Sequence, residues 1–269
     1  LLKILSQGSD PESIQEDFEK LFDAINRVQF DKVDRKKIMK INGVVGNAVE
    51  VVDMVTPVMA LGNIEDWLLA LEAEMQRSVR KECRIASLEV GQVMNGLSLG
   101  DFGNKGIAQV ALLGIQLIWT VDFQEALHRN CHDRDKAIMG ATNKKFVQML
   151  TDLVNLCLTD LGSSMNRTKF ETLVTVHVHQ KDLFQEVWKK VKEGKVKDDQ
   201  DFEWLKQTRC YWKTDSDHAI VSIADVDFVY SYEYLGNTPR LVVTPLTDKC
   251  YMTLTGAMHL NYGGAPAGP

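Results

Sequence analysis

Apolar positions recur at intervals of three and four along most of the first two hundred residues, which predicts one amphipathic helix after another. Asp10-Pro11 supplies an N-cap followed by proline at the first helical position, where a missing N–H costs nothing. Ile14, Phe18, Leu21, Phe22, Ile25 and Val28 then form one stripe, with Glu, Asp and Lys opposite. Residues 31–56 are ambiguous: Asp31–Lys37 reads as a solvated charge run, and Gly43 and Gly46 break the pattern. Asn63 caps a second helix with Ile64, Trp67, Leu68, Leu71, Met75 and Val79 inside and Gln76–Lys81 supplying most of the wet face. A Gly/Asn-rich loop is expected around Gly91–Lys105.

The next helix carries Val110, Leu113, Gly114, Leu117, Ile118, Val121, Phe123 and Leu127. Its middle is apolar nearly all round, so it is predicted to be central and covered on most sides. Another runs through Phe146, Met149, Leu150, Leu153, Val154, Cys157 and Leu158 and stops near Gly162. A fifth, from about Lys169, holds Phe170, Leu173, Val174, Phe184, Val187, Trp188 and Val191. Within it Val174–His179 is β-branched and alternating, so strand is an alternative there; helical flanks without a turn residue favour helix. Lys189–Asp201 reads as a charged linker. After Phe202-Glu-Trp-Leu205 the period changes to two. Val226, Phe228, Tyr230, Tyr232 and Tyr234 alternate with mostly polar neighbours, a β-meander or hairpin with one apolar face. Thr244-Pro-Leu-Thr-Asp248 opens a short helix with Leu246, Cys250, Tyr251, Leu254, Ala257 and Met258 on one face. There is no internal sequence repeat, and residues 1–200 fit an irregular bundle or a solenoid.

With 269 residues, 45% of them hydrophobic and 25% charged, the chain can bury a real core as one large or two ordinary domains. A net charge of -6 and a pI near 5.6 argue against general affinity for nucleic acid. No continuous apolar run reaches the roughly 18 residues of a membrane span, and no secretory signal pattern opens the chain. Five scattered cysteines without a C-x-x-C pair suggest reduced thiols, neither a disulfide framework nor a zinc site. Leu1 is not an initiator Met and the C-terminus falls inside a loop motif, so a fragment is expected.

Few motifs carry chemistry. Gly263-Gly-Ala-Pro-Ala-Gly-Pro269 resembles the approach to a phosphate-cradling loop, of which Gly268 and Pro269 would be the first two residues; a flexible tail is the simpler reading. His128-Arg-Asn-Cys-His132 puts two histidines on one helix face with Cys131 beside them, but no third ligand is in view, so they read as surface histidines. His177 and His179 could chelate only on a strand. No G-x-S-x-G or catalytic cysteine pattern occurs, and the lysines at 189–197 read as a solvated linker.

Five segments resemble the dynein heavy chain, in order: 57–68 (Pro-Val-Met-Ala-Leu-Gly-Asn-Ile-Glu-Asp-Trp-Leu), 109–116 (Gln-Val-Ala-Leu-Leu-Gly-Ile-Gln), 169–179 (Lys-Phe-Glu-Thr-Leu-Val-Thr-Val-His-Val-His), 202–209 (Phe-Glu-Trp-Leu-Lys-Gln-Thr-Arg) and 234–251, with Tyr-Leu-Gly-Asn-Thr-Pro-Arg-Leu-Val-Val-Thr-Pro-Leu-Thr-Asp. The closing Gly-Gly-Ala-Pro-Ala-Gly-Pro is similar to the axonemal branch. The resemblance implies a mainly α fold: an elongated multi-helix linker arm (the C-terminal half of the linker, 1–233), a β-hairpin, and the first helix and strand of an incomplete AAA+ α/β module (234–269). It implies an ATP-driven motor moving on microtubules in the cilium or flagellum axoneme and cytoplasm, with ATP/ADP and Mg as cofactors. The implied partners are the rest of the AAA+ ring, intermediate and light chains and microtubules, with neither nucleic acid nor membrane.

Leu241, Val242, Val243, Pro245, Leu246 and Thr247 would contact adenine, and Pro266, Ala267, Gly268 and Pro269 would lead onto the phosphates. Catalytic and metal-binding residues are expected to be absent, so the segment alone should not hydrolyse ATP. The rival reading is a self-contained helical scaffold with a Gly/Pro tail. An unpaired edge near Leu241–Val243 and an exposed Tyr251/Leu254 face predict self-association of the isolated chain.

Overall fold

Residues 25–59 form a three-stranded antiparallel sheet in the computed structural model, which describes residues 11–93, 99–238 and 243–265. The cap at Asp10 lies outside the described residues. The chain passes through a 3-10 turn, Ser13–Asp17, and one helical turn, α1 (Phe18–Leu21). Phe22 then adopts extended backbone, at φ -133° and ψ 140°. The strands are β1 (Ile25–Phe30), β2 (Lys37–Val45) and β3 (Ala48–Met59), in that spatial order. The helix expected through Val28 is therefore corrected, and a β-bulge explains the error. Pairing steps from Ile25↔Gly43 to Arg27↔Asn42, so β1 carries one extra residue and Ile25 and Val28 are both buried, three apart.

Gly46-Asn47 joins β2 to β3 as a two-residue turn, closed by Val45↔Ala48, with Gly46 at φ +59°. Glycine first in such a turn matches the twist of a hairpin. The β2–β3 register slips between Ile38 and Lys40. Near there, on the outer strand, the Val55 and Thr56 N–H groups donate to Ser78 Oγ (3.0 Å) and Glu74 Oε1 (2.6 Å). Both acceptors belong to α2 (Ile64–Val93), which thus covers the sheet edge. The predicted stripe of α2 is buried at Ile64, Trp67, Leu71, Met75 and Val79, and continues to Cys83, Ala86 and Val90.

The loop expected around Gly91–Lys105 is corrected at both ends: α2 reaches Val93 and a further helix, α3, spans Leu99–Lys105, while residues 94–98 lie outside the described residues. Glycines there serve close packing. A Cβ on Gly103 would stand 2.8 Å from the Phe170 ring, and one on Gly100 3.0 Å from Leu156. Then come α4 (Ala108–Cys131), α5 (Ile138–Cys157) and α6 (Ser164–Lys192), as the periodicity predicts. By length and composition α4 could cross a membrane, but 78% of its apolar window is buried inside the protein, as expected of a central helix. Val174–His179 is helical. His177 is fully buried with Nε2 2.9 Å from the Phe146 carbonyl, which can only accept, so Nε2 carries the proton. Burial lowers its pKa.

The single-turn α7 (Phe202–Leu205) is capped by the Asp201 side chain. An antiparallel sheet follows: β4 (Arg209–Lys213), β5 (His218–Ile223) and β6 (Val226–Val229). The strand expected to continue to Tyr234 stops at Val229, yet its alternation of burial persists through Tyr232 and Tyr234. Tyr232 lies at φ +60°, outside strand geometry, so the pattern outlasts the strand. The last helix, α8 (Pro245–His259), has its predicted Thr244 cap.

Two compact units divide these elements. The first holds the described residues up to Gly114, Asp152–Val174 and those from Ser231 to 238; the second holds Ile115–Thr151, Thr175–Tyr230 and the described residues after 242. The core of the second unit is aromatic: Phe123 lies 4.5 Å from Trp204, 4.7 Å from Phe184 and 5.3 Å from Trp119, ring to ring. Among the described residues all five cysteines are free.

Candidate functional site: a polar joint in the first unit

Glu50 is the improbable residue of β3, a carboxylate 3% exposed at a position where its neighbours in the alternation are Val52 and Met54. It is retained because both oxygens are used. Oε1 accepts from the Ala108 N–H at 2.8 Å, the first residue of α4, where the helix N-terminus favours an anion. Oε2 accepts from the Tyr234 hydroxyl at 2.8 Å. Gly43, Cβ-less on β2, leaves the space that the Tyr234 ring occupies. Burial pushes the Glu50 pKa above its ordinary 4.5, against the two hydrogen bonds and the charge of Lys169. Burial and then Glu50 push the Tyr234 phenol far upward, so it is a fixed proton donor.

Lys169 of α6 is 1% exposed and donates to the Gly103 (2.9 Å) and Gly106 (2.7 Å) carbonyls, at and just beyond the C-terminal end of α3. A cation there meets the negative end of the helix. Its pKa is lowered by burial and partly restored by Glu50. Beside it, the Gln109 amide engages the segment after β6, which pairs with β2 only through an isolated parallel bridge between Asn237 and Val45. Nε2 donates to the Glu233 carbonyl and Oε1 accepts from the Leu235 N–H, both at 2.7 Å. Asn237 completes the attachment: its N–H donates to the Val44 carbonyl at 3.3 Å and Nδ2 to Thr172 Oγ1 at 2.9 Å. Residues 233–237 are thereby fixed by side chains of β3, α4 and α6 and by the backbone of β2.

Gly236 makes that approach possible. It sits at φ +55°, and a Cβ there would collide with the Val44 carbonyl oxygen. Gly236→Ala is expected to cost about 3 kcal/mol, combining left-handed strain and backbone displacement. Gly62→Ala, also at positive φ but with nothing within 4 Å, should cost about 1 kcal/mol. Urea unfolding of the two variants checks the difference.

The residues predicted at the nucleotide behave differently. Pro245, Leu246 and Thr247 open α8, and Val243 stands just before its Thr244 cap. Leu246 is 71% exposed and Val243 37%. The Thr247 hydroxyl is engaged by the cap, bonded to Thr244. Leu241, Val242, Pro266, Ala267, Gly268 and Pro269 lie outside the described residues. Tyr251, Leu254 and Met258 are exposed on α8, as expected of that face.

Sequence reasoning missed Glu50, Gln109, Lys169 and Asn237 as a group. The hairpin signal was present: Gly46-Asn47 between two alternating apolar runs, with Glu50 in register with Val52. Gln109, Lys169 and Tyr234 each open one of the segments singled out above for their resemblance, and these three segments meet here.

Comparisons with known proteins bear on the same residues. Residues 1–86 match a family described as dynein heavy chain, N-terminal region 2, and residues 230–269 match the hydrolytic ATP binding site of dynein motor region. Over its whole length the chain is 46% identical to dynein axonemal heavy chain 8 of Homo sapiens, of which it covers 6%. It is 43% identical to the dynein gamma chain, flagellar outer arm, of Chlamydomonas reinhardtii, again covering 6% of that protein. Identity to the ciliary dynein beta chain of Tripneustes gratilla is 37%, with the same coverage.

Proposed function

Because this chain belongs to the dynein heavy chain family, we propose that it serves as the mechanical linker of an ATP-driven, microtubule-based axonemal motor. In this reading residues 1–233 are the C-terminal half of the linker and residues 234–269 begin the first AAA+ module. The observation that carries it is the joint. Tyr234 and Asn237, in the stretch matching the ATP-site family, bond directly to Glu50 and Val44, in the stretch matching the N-terminal region. A linker driven by nucleotide needs such a firm connection between arm and motor module.

Leu241, Val242, Val243, Pro245, Leu246 and Thr247 would form the adenine side of the nucleotide site, and Pro266–Pro269 the approach to the phosphates. The exposed apolar Val243 and Leu246 suit a base, whereas the occupied Thr247 hydroxyl offers nothing to Mg. Bound ATP would supply the phosphoryl chemistry, with Mg ligands coming from elsewhere in the parent protein. Its partners would be the remaining AAA+ ring, the intermediate and light chains and the microtubule, in the axoneme.

The test is Tyr234→Phe in the full-length motor. ATP turnover is expected to stay near the unsubstituted rate while gliding velocity falls severalfold. Unchanged gliding, or turnover and gliding falling in proportion, would reject a coupling role for the joint. The 269-residue chain alone should not hydrolyse ATP, and turnover by pure material would reject that part.

A further inference from the structure

We propose that His128, His132 and Asp199 form a binding site for one divalent transition-metal ion, with zinc as the best-fitting case. The histidines lie one turn apart near the C-terminus of α4, their rings 4.5 Å apart and inclined by 34°. The fold supplies the third donor that sequence spacing cannot show. Asp199, between α6 and α7, places Oδ2 at 3.7 Å from His128 Nδ1 and Oδ1 at 3.9 Å from His132 Nε2. One ligand atom from each of the three lies within 4.8 Å of the others. Bonds of about 2.0–2.1 Å in a tetrahedron separate donors by about 3.4 Å. The imidazoles are more than half exposed, so small rotations close that difference.

Asp199 is set apart from a solvated surface carboxylate. Its side chain is 13% exposed, and Gln124 Nε2 donates to Oδ2 at 3.4 Å. Gln124 is itself oriented by the Tyr211 hydroxyl, which donates to its Oε1 at 2.9 Å. An outer layer that aims the carboxylate is what a metal ligand requires. Two imidazoles and a carboxylate suit zinc, then copper and nickel, and leave a fourth position for water. Neighbouring Arg129 is paired with Asp135 at 2.8 Å. Cys131 is not among the converging donors.

The bound ion would fasten the segment before α7 to the end of α4. The Asp198 carbonyl accepts from the Asp201 N–H, and Asp201 caps the turn that carries Trp204 into the core. The site is therefore a structural clip within the second unit.

Zinc titrated into the metal-free 269-residue chain, by calorimetry and by competition with a chromophoric chelator, tests this. One zinc per chain is expected, with a higher melting temperature when zinc is bound. Cobalt in its place should show nitrogen and oxygen coordination without thiolate charge transfer. His132→Ala and Asp199→Asn should each weaken zinc binding at least tenfold and Gln124→Ala severalfold, with Cys131→Ser neutral. His132 is exposed and Asp199→Asn keeps its shape, so both variants should retain wild-type circular dichroism. The site is refuted if micromolar zinc does not bind, if binding survives His132→Ala or Asp199→Asn, or if cobalt reports thiolate ligands.

Discussion

Glu50→Ala is expected to destabilise the protein by about 4 kcal/mol, because two buried donors lose their acceptor at once. The Tyr234 hydroxyl and the Ala108 N–H both point into the space vacated, and Lys169 loses the Glu50 charge that partly offsets its burial. Glu50→Gln keeps one acceptor oxygen for the Ala108 N–H, and its amide nitrogen can donate to the Tyr234 oxygen, so it should cost less than Glu50→Ala. Urea unfolding of the two variants separates loss of hydrogen bonding from loss of charge. A Glu50→Ala effect under about 1 kcal/mol would mean that water replaces the carboxylate and the joint is not tight. The pH dependence has a definite sign. Since burial raises the folded pKa above 4.5, the native state holds its proton more tightly than the unfolded chain. The stabilisation from this group is complete below 4.5 and lost as pH rises through the folded value. Relative to wild type, Glu50→Gln should therefore gain stability as pH climbs from about 4.5 and level off once Glu50 is ionised in both states.

Trp204→Ala should be of similar severity, about 4 kcal/mol, for an apolar reason. Its side chain is fully buried, with ring centres at 4.5 Å to Phe123 and 5.6 Å to Trp119. A single-turn helix carries it, so no long element can shift to fill the hole. Trp204→Phe provides the contrast. The indole N–H finds no acceptor among the described residues, so phenylalanine removes an unsatisfied donor along with some packing. A loss below about 2 kcal/mol is expected for that change. Equal losses for both variants, measured by thermal or urea unfolding, would show that shape rather than volume sets the cost.

Legibility followed period and length. Long helices announced themselves: the stripes in α2, α4, α5 and α6 stand in the structure apart from the exposed Val121, Val154 and Leu158, and α4 is the covered central helix its composition implied. The first sheet was obscured by its irregularities. One bulge in β1 turned a two-residue repeat into the three-residue spacing of Ile25 and Val28, and Gly43 and Gly46 resembled breaks where they are sheet requirements. Glycines also disguised α3, since Gly100 and Gly103 make room for Leu156 and Phe170. The joint was hidden for a different reason. Glu50, Gln109, Lys169 and Tyr234 are ordinary residues singly, and only the fold brings them together. Family resemblance marked three of the four segments involved without saying that they touch. The third donor beside His128 and His132 was beyond any local spacing rule, since Asp199 arrives from another connection.

The bond between Tyr234 and Glu50 spans 184 positions, and that separation has a consequence for synthesis. On the ribosome, β1 to β3 can pair as soon as the Gly46-Asn47 turn emerges, because those contacts are local. Glu50 then waits, exposed or hydrated, until Tyr234 has been made, with α4 to α6 and the second sheet all intervening. Closing the joint is thus a late, large-loop event in the assembly of the first unit, one whose entropic cost grows only slowly with loop length. Until Tyr234 emerges the nascent chain carries an open carboxylate in its first sheet, and its pairing marks the moment at which the first unit can close.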